Sequence, residues 1–283
     1  MIEPRRSTAS LRVERHGNGR AGSRRDDVVV EEPMEIRIAA DGPEGPAEHR
    51  VAVTMRTPGD DFALAAGFLY SEGLIARRDE VVEIAYCAEP GVPQEYNIVT
   101  LRLRRGASFD PAGLVRNFYT TSSCGVCGKA SLEAVEVRGC APLPDGPLAV
   151  PDAVVRGVPG GLRAAQPVFD RTGGIHAAGL IAADGSLELL REDVGRHNAV
   201  DKVIGHRFLE EALPASDRFL AVSGRASFEI LQKALAAGIP MVVAVGAPSS
   251  LAVDLARRFN MTLVGFAKPS GYNVYEGAKR IAG

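Results

Sequence analysis

Residues 219–271 read FLAVSGRASFEILQKALAAGIPMVVAVGAPSSLAVDLARRFNMTLVGFAKPSG. Three apolar runs in this stretch have the length of buried strands, and they occupy 219–223, 241–245 and 262–266. Helical patterns separate these runs, at about 226–237 and 249–259. Gly238 and Asn260, which both tolerate the left-handed conformation of a helix stop, end the two patterns. The alternation of strand and helix predicts a parallel sheet in an α/β fold.

The carboxyl ends of the three predicted strands should meet at one edge of the sheet, where such folds bind their ligands. The segments expected at this edge are 223–225, 246–249 and 266–271. Ser249 or Ser250 begins a helix there and would offer free backbone N–H groups, and Arg225 and Lys268 add positive charge. These features suit a phosphate or diphosphate. Ordinary connecting loops with good helix caps would give the same pattern.

The first half of the chain shows the shorter, alternating pattern of strands. A hairpin is predicted from the segments 34–38 and 51–55, with a Gly/Pro-rich turn at 41–46. Asp60 or Asp61 can cap a helix that ends near Gly73 and carries an apolar face of Phe62, Ala65, Ala66 and Leu69. Two more strands are predicted at 81–87 and 97–104.

Composition divides the chain and limits its function classes. Residues 1–25 are rich in arginine and have little to bury, which predicts a disordered tail. We expect a strand-rich subdomain at 26–120 and an α/β subdomain at 121–283. The net charge of -2 argues against a dedicated nucleic-acid binder. Because polar residues interrupt every apolar run and no export signal follows the Arg-Arg pairs, we predict a cytoplasmic protein with no membrane span.

The chain has four cysteines, and two of them form the close pair Cys124-Gly125-Val126-Cys127. Such a pair can form a disulfide, hold half a metal site or relay sulfur. Lys129 beside it can stabilise a thiolate or be an ordinary surface lysine. A zinc site would need two further ligands, for which the candidates are Cys87, Cys140, His176 and His197. No second close pair exists, so we expect no resident metal and treat Cys87 and Cys140 as structural.

Two further stretches combine glycine, histidine and charge, at 172–176 and 192–198. A histidine satisfied inside the core is the default interpretation of each. The second stretch continues into a helical pattern, so that Arg196, His197 and Asn198 would lie in the first turn of a helix. Such a turn can meet an anionic ligand or a thiolate.

Six segments together carry a resemblance to a known family. They are MRTPGDD (55–61), SSCGVCGK (122–129), TGGIHAA (172–178), EDVGRHNAVDK (192–202), SGR (223–225) and GFAK (265–268). On these segments the chain resembles the formate dehydrogenase accessory sulfurtransferases, the FdhD family, over roughly residues 28–281. The joint occurrence of the segments is far more specific than the cysteine pair alone.

The resemblance implies a cytidine-deaminase-like three-layer sandwich with a strand-rich N-terminal part, assembled as a homodimer and without that fold's zinc chemistry. It implies a sulfurtransferase that takes sulfur from a cysteine desulfurase as a persulfide. The sulfur would pass to molybdenum bis(molybdopterin guanine dinucleotide), or its tungsten counterpart, which is bound as a substrate and is required by the catalytic subunit of formate dehydrogenase. The family's persulfide position falls on Cys124, with Cys127 as its partner in transfer.

The resemblance also places the cofactor contact on one strand end. Its residues here are Phe266, Ala267, Lys268, Pro269, Ser270 and Gly271. Lys268 stands where the family more usually has Arg, which keeps the charge but loses the planar fork. Arg225, Ser249 and Ser250 are added from the predicted topology alone.

Two other function classes use the same features. A disulfide oxidoreductase would need the cysteines but no dinucleotide edge. A protein that only delivers the cofactor would need the edge and no cysteine. We favour sulfur transfer because it uses both.

Overall fold

The computed structural model describes residues 6–17, 20–42, 45–87, 94–107 and 140–283. The first two strands, β1 (Thr8–Gly17) and β2 (Arg20–Val29), pair antiparallel as a hairpin. The described part of the predicted disordered tail at 1–25 is therefore ordered as strands from residue 8. Asn18-Gly19, the dipeptide that favours a two-residue hairpin turn, stands between the paired residues Gly17 and Arg20. An ion pair between Asp27 and Arg171 (2.9 Å) joins the hairpin to the rest of the molecule.

A four-stranded sheet and one helix follow. The elements are β3 (Glu32–Gly42), β4 (Gly45–Arg56), α1 (Asp61–Ser71), β5 (Val81–Tyr86) and β6 (Ile98–Leu103), and the sheet order is β4-β3-β6-β5. Met34, Ile36 and Ile38 alternate along β3 and are fully buried in the core beneath α1. The predicted hairpin, helix and two strands are confirmed. Asp60 occupies the N-cap position, but its side chain makes no capping hydrogen bond.

The rest of the chain builds a six-stranded sheet. Its elements and their neighbours are β7 (Val150–Pro151), α2 (Asp152–Ala164), α3 (Pro167–Thr172), β8 (His176–Ala182), β9 (Leu187–Asp193), α4 (Arg196–Leu209), β10 (Arg218–Val222), α5 (Phe228–Ala236), β11 (Met241–Ala244), α6 (Ser250–Arg258), β12 (Thr262–Lys268), β13 (Gly271–Glu276) and β14 (Ile281–Ala282). The sheet order is β13-β12-β11-β10-β8-β9. Strands β10, β11 and β12 are parallel, as predicted, whereas β8, β9 and β13 pair antiparallel.

Helices cover both faces of this sheet. Leu220 and Val222 face α4, α5 and α6, while Phe219 and Ala221, one residue out of phase, face α2. Burial on both faces explains why β10 is an unbroken apolar run. Gly238 and Asn260 follow α5 and α6 with φ of 68° and 57°, which confirms both predicted helix stops.

The two halves meet where α1 crosses α4. An added Cβ on Gly67 would lie 1.9 Å from the carbonyl oxygen of Asp201, and one on Gly205 would lie 1.8 Å from that of Ala63. The helices therefore approach so closely that only glycine fits at the crossing. The predicted subdomain boundary at 120/121 lies outside the described residues. In the part of the chain that the structure describes, no helix has both the length and the apolarity needed to cross a bilayer.

Candidate functional site

The carboxyl ends of the three parallel strands do lie together. Gly246 N donates to the carbonyl oxygen of Gly224 (2.9 Å), and Phe266 N donates to that of Gly246 (3.1 Å). An added Cβ on Gly246 would lie 2.8 Å from the carbonyl oxygen of Gly224, so a side chain there would separate the loops. The three segments that the topology selected are confirmed as one edge.

The antiparallel strands bring both glycine- and histidine-containing stretches to the same edge. His176 begins β8 and pairs with Asp193 at the end of β9. Ala177 N donates to Ser223 Oγ, and Ser223 N donates to the carbonyl oxygen of Ala177, both at 2.9 Å. An added Cβ on Gly224 would lie 3.3 Å from His176 Nδ1. Both stretches stand out in the sequence, but nothing in their pattern indicates that they lie at the same edge of the sheet.

The two histidines of the edge have different surroundings. His197 Nε2 lies 3.1 Å from Ser227 Oγ and 2.9 Å from Glu229 Oε2, and this contact lowers the pKa of Glu229. Burial lowers the pKa of His176, and the nearby charges of Arg196 and His197 lower it further. His176 therefore favours its neutral form at the edge.

The edge also carries cations that are available to a ligand. Arg225 and Lys268 are exposed, and within the described residues neither side chain makes an ion pair or hydrogen bond. The half-buried Arg196, in the first turn of α4, has an Nε without a hydrogen-bond partner among the described residues. A cation at a helix N-terminus is opposed by the helix dipole, so an anion bound here would relieve that repulsion.

The residues predicted to bind the cofactor differ in exposure and in backbone conformation. Phe266 is 42% exposed and has a φ of 53°, a conformation that is uncommon for a bulky residue. Ala267 is fully buried in the core beneath α2, so only its backbone could meet a ligand. Ser249 Oγ accepts a hydrogen bond from Ala252 N (3.3 Å), and so it caps α6. Besides Phe266, the exposed predicted residues are Arg225, Ser249, Ser250, Lys268, Pro269 and Ser270, and Gly271 is half-buried.

The structure describes two of the four cysteines. Cys124 and Cys127 lie outside the described residues. Cys87 and Cys140 are half-buried and form no disulfide with a described residue, and Cys140 packs against the hydrophobic core of the six-stranded sheet. Among the described residues no cluster of His, Cys, Asp or Glu could hold a metal ion.

A buried polar network behind the edge was not predicted from the sequence. The fully buried carboxylate of Asp193 accepts hydrogen bonds from Thr57 N (3.1 Å), Gly195 N (2.8 Å) and Asn198 Nδ2 (3.0 Å), and it pairs with Lys202 Nζ (2.7 Å). Lys202 Nζ also donates to the carbonyl oxygen of Thr57 (2.9 Å). The network fastens the 55–61 segment to the 192–202 segment. The sequence carries no local signal for this network, because polar residues occur along the whole of α4 and its partner Thr57 is distant in the chain.

The first of these segments contains a second buried ion pair. Arg56 and Asp61 form a bidentate pair, with Nε to Oδ1 at 3.1 Å and Nη2 to Oδ2 at 2.9 Å. Asp61 begins α1, so the pair fixes the entry of this helix against the end of β4. The chain from Arg56 to Asp61 is therefore held at both ends.

Comparison with known proteins assigns the chain to a family. The model of the FdhD/NarQ family matches residues 29–282. The sulfur carrier protein FdhD of Streptomyces coelicolor is 51% identical over 280 residues, covering 98% of this chain and 96% of that protein. The protein of the same name from Mycobacterium tuberculosis is 47% identical over 281 residues, covering 97% and 99%.

A solved structure gives the same relationship. The crystal structure of a protein assigned as a formate dehydrogenase accessory protein, from Desulfotalea psychrophila, matches with a TM-score of 0.75 and 26% identity. The match covers 98% of this chain and all of that one. On the family model, the near full-length relatives and the shared fold, this chain belongs to the FdhD/NarQ family.

Proposed function

We propose that this chain is a sulfur carrier and sulfurtransferase needed for formate dehydrogenase activity. The observation that carries the proposal is near full-length identity of about half to proteins named sulfur carrier protein FdhD, in a chain that contains the Cys124–Cys127 pair. In this proposal the donor is a cysteine desulfurase. The acceptor is molybdenum bis(molybdopterin guanine dinucleotide), bound as a substrate.

The proposed chemistry is thiol exchange. The Cys124 thiolate attacks the terminal sulfur of the desulfurase persulfide, the S–S bond of that persulfide breaks, and the desulfurase cysteine leaves as a thiolate. Cys124 then carries the sulfur as a persulfide. Cys127 can take over the terminal sulfur by the same exchange, which releases the Cys124 thiolate. No external oxidant or reductant is needed for these steps.

The sheet edge supplies the proposed acceptor site. Arg225 and Lys268 would meet the diphosphate groups of the dinucleotide, and the start of α6 at Ser250 offers backbone N–H groups. The exposed, left-handed Phe266 presents an aromatic face beside them. The imidazole of His176 at the same edge favours its neutral form and could accept a proton. The proposal also includes a cytidine-deaminase-like sandwich fold. It further assumes that the protein is a homodimer in the cytoplasm.

Intact-protein mass spectrometry tests the carrier step. The chain is incubated with a cysteine desulfurase and cysteine, and wild type is compared with Cys124→Ala, Cys127→Ala and the control Cys87→Ala. We expect added sulfur that reductant removes on wild type and on Cys87→Ala, and its loss from Cys124→Ala. Absence of added sulfur from every form would contradict the proposal.

Activation of formate dehydrogenase separates the alternatives. Full activation by Cys124→Ala would identify a protein that delivers the cofactor without transferring sulfur. Dithiol-dependent reduction of insulin by wild type, without sulfur loading, would identify a disulfide oxidoreductase. Our proposal predicts that Cys124→Ala binds the cofactor and fails to activate the dehydrogenase.

A further inference from the structure

The helices α5 and α6 both begin at the sheet edge, and each has a serine at its N-cap position. Ser249 caps α6 by accepting a hydrogen bond from Ala252 N (3.3 Å). Ser227 makes no capping hydrogen bond to α5, and its Oγ lies instead 3.1 Å from Nε2 of His197 in α4. A serine cap stabilises a helix, so α5 gives up this stabilisation for a contact with His197.

The same histidine nitrogen contacts a carboxylate in the first turn of α5. Nε2 of His197 lies 2.9 Å from Oε2 of Glu229, whose side chain is 52% exposed. The other carboxylate oxygen, Oε1, makes no hydrogen bond with any described residue. One oxygen of Glu229 is therefore held by a histidine that Ser227 also contacts, and the other is available to a ligand at the edge.

An ionised carboxylate is unexpected among the cations of this edge. The hydrogen bond with His197 lowers the pKa of Glu229, so the side chain is charged at neutral pH. Arg225, four residues earlier, is exposed and makes no ion pair or hydrogen bond with a described residue. A negative charge near Arg225 would repel a diphosphate that binds there. The carboxylate has a favourable role if the same ligand also carries hydrogen-bond donors.

Guanine carries such donors. Its Watson–Crick edge has two neighbouring donors, the N1–H and the 2-amino group, whereas adenine has an acceptor at N1. A carboxylate only accepts hydrogen bonds, so it pairs with the guanine edge and opposes the adenine acceptor. Its two oxygens have about four lone-pair positions, so Oε2 can accept from the base while it stays in contact with His197.

We propose that Glu229 recognises the guanine base of the dinucleotide at the sheet edge, and that His197 is its positioning residue. This inference rests on the proposed function, because it assumes that the edge binds the guanine dinucleotide. Glu229 accepts hydrogen bonds from the N1–H and the 2-amino group, while Arg225 and Lys268 meet the diphosphate. Selection of guanine over adenine then belongs to the start of α5, and not to the strand end at 266–271.

Calorimetric titration of the full-length chain with GDP, ADP and pyrophosphate tests the assignment. Pyrophosphate reports on the cations alone, and the ratio of the ADP and GDP dissociation constants reports on recognition of the base. Hydrogen bonds to a charged group are stronger than those between neutral groups, so wild type should bind GDP about tenfold or more tightly than ADP.

Glu229→Gln keeps the size of the side chain but replaces one acceptor oxygen by a donor amide. It should weaken GDP binding about tenfold or more, because an amide N–H then faces a guanine donor. ADP binding should not weaken, since an amide pairs with both a donor and an acceptor of adenine. Pyrophosphate binding should stay unchanged or become tighter, because a negative charge is removed.

The matched control is Glu188→Gln at the start of β9, which changes another exposed carboxylate with a single cation partner, Arg218 (2.8 Å). It should alter the binding of none of the three ligands. His197→Ala leaves the Glu229 carboxylate in place without its fixed contact. This variant should lower the ratio of the ADP and GDP dissociation constants, and a wild-type ratio would overturn the positioning role of His197.

A wild-type ratio in Glu229→Gln would overturn the inference, as would equal binding of GDP and ADP by wild type. If Glu229 only stabilised the first turn of α5, its replacement would weaken the binding of all three ligands alike, and this outcome also overturns the inference. Failure of wild type to bind any of the three would instead contradict the acceptor site of the proposed function, and the inference with it.

Discussion

His176 and His197 occupy the same sheet edge, but the charged groups around them differ. His197 has a carboxylate partner in Glu229, which lies at 2.9 Å. His176 is half-buried beside Arg196, and its burial outweighs the opposite influence of Asp193. The surroundings of His176 therefore disfavour its charged form, whereas His197 lies beside a carboxylate.

The depressed pKa of His176 predicts how stability depends on pH. In the unfolded chain this histidine titrates near 6.5, and in the folded chain it titrates at a lower pH. The stabilisation is therefore complete above about pH 6.5 and is lost as the pH falls through the folded pKa. We expect wild type to lose more free energy of unfolding than His176→Gln between pH 7.5 and 5.5, measured by urea denaturation.

His16 is the control for this measurement, because its side chain is 74% exposed on the β1–β2 hairpin. His16→Gln should follow wild type at both pH values. A histidine titration of His176 by NMR with a midpoint above 6.5, or equal losses in wild type and His176→Gln, would contradict the assignment.

At the scale of elements, the crossing of α1 and α4 is set by backbone contact. Gly67 and Gly205 each face the carbonyl oxygen of a residue on the opposite helix. Beside the crossing, the buried carboxylate of Asp201 pairs with Lys233 of α5 (2.8 Å) and accepts a hydrogen bond from Ser71 of α1 (3.2 Å). Three helices therefore share one buried polar contact, which fixes their rotation about their axes.

Gly67→Ala should destabilise the protein by about 3 kcal/mol, because the new methyl group must push two packed helices apart. The matched control is Gly157→Ala in α2, where nothing lies within 4 Å of an added Cβ. That substitution should stabilise the protein by about 0.5–1 kcal/mol through the higher helix propensity of alanine. Chemical denaturation of the two variants gives both values. Equal effects of the two substitutions would show that the crossing is not the reason for glycine at position 67.

The elements that were predictable are those whose signal is local. The apolar runs of β10, β11 and β12, with the stops at Gly238 and Asn260, predict the parallel sheet and the edge at which the carboxyl ends of these strands meet. The β1–β2 hairpin was missed because most residues of its strands are polar or charged, which obscures the alternation of Ala9, Leu11 and Val13 along β1. The network around Asp193 could not be predicted, because its partner Thr57 lies far away in sequence. Only the folded chain brings these two segments together.

At the scale of the whole molecule, two sheets with separate cores are joined by polar contacts as well as by packing. Lys202 and Asn198 of α4 donate to the carbonyl oxygens of Thr57 (2.9 Å) and Met55 (2.7 Å) at the end of β4. These groups are buried, so separating the halves would leave charged and polar groups without partners in a dry interface. The sheet edge and the first half of the chain should therefore be one cooperative structure.

The chain lacks tryptophan, so one introduced tryptophan reports on a single half. Val82→Trp places the probe on β5 of the first half, and Val274→Trp places it on β13 of the second; both positions are partly exposed, which should limit the disturbance. If the buried contacts couple the halves, fluorescence and far-UV circular dichroism should give coincident urea transitions for both variants. Distinct midpoints would mean that the halves unfold separately. The strand-rich half would then contribute little to the stability of the sheet edge. The Asp193–Lys202–Thr57 network would in that case stabilise only the segments that it directly joins.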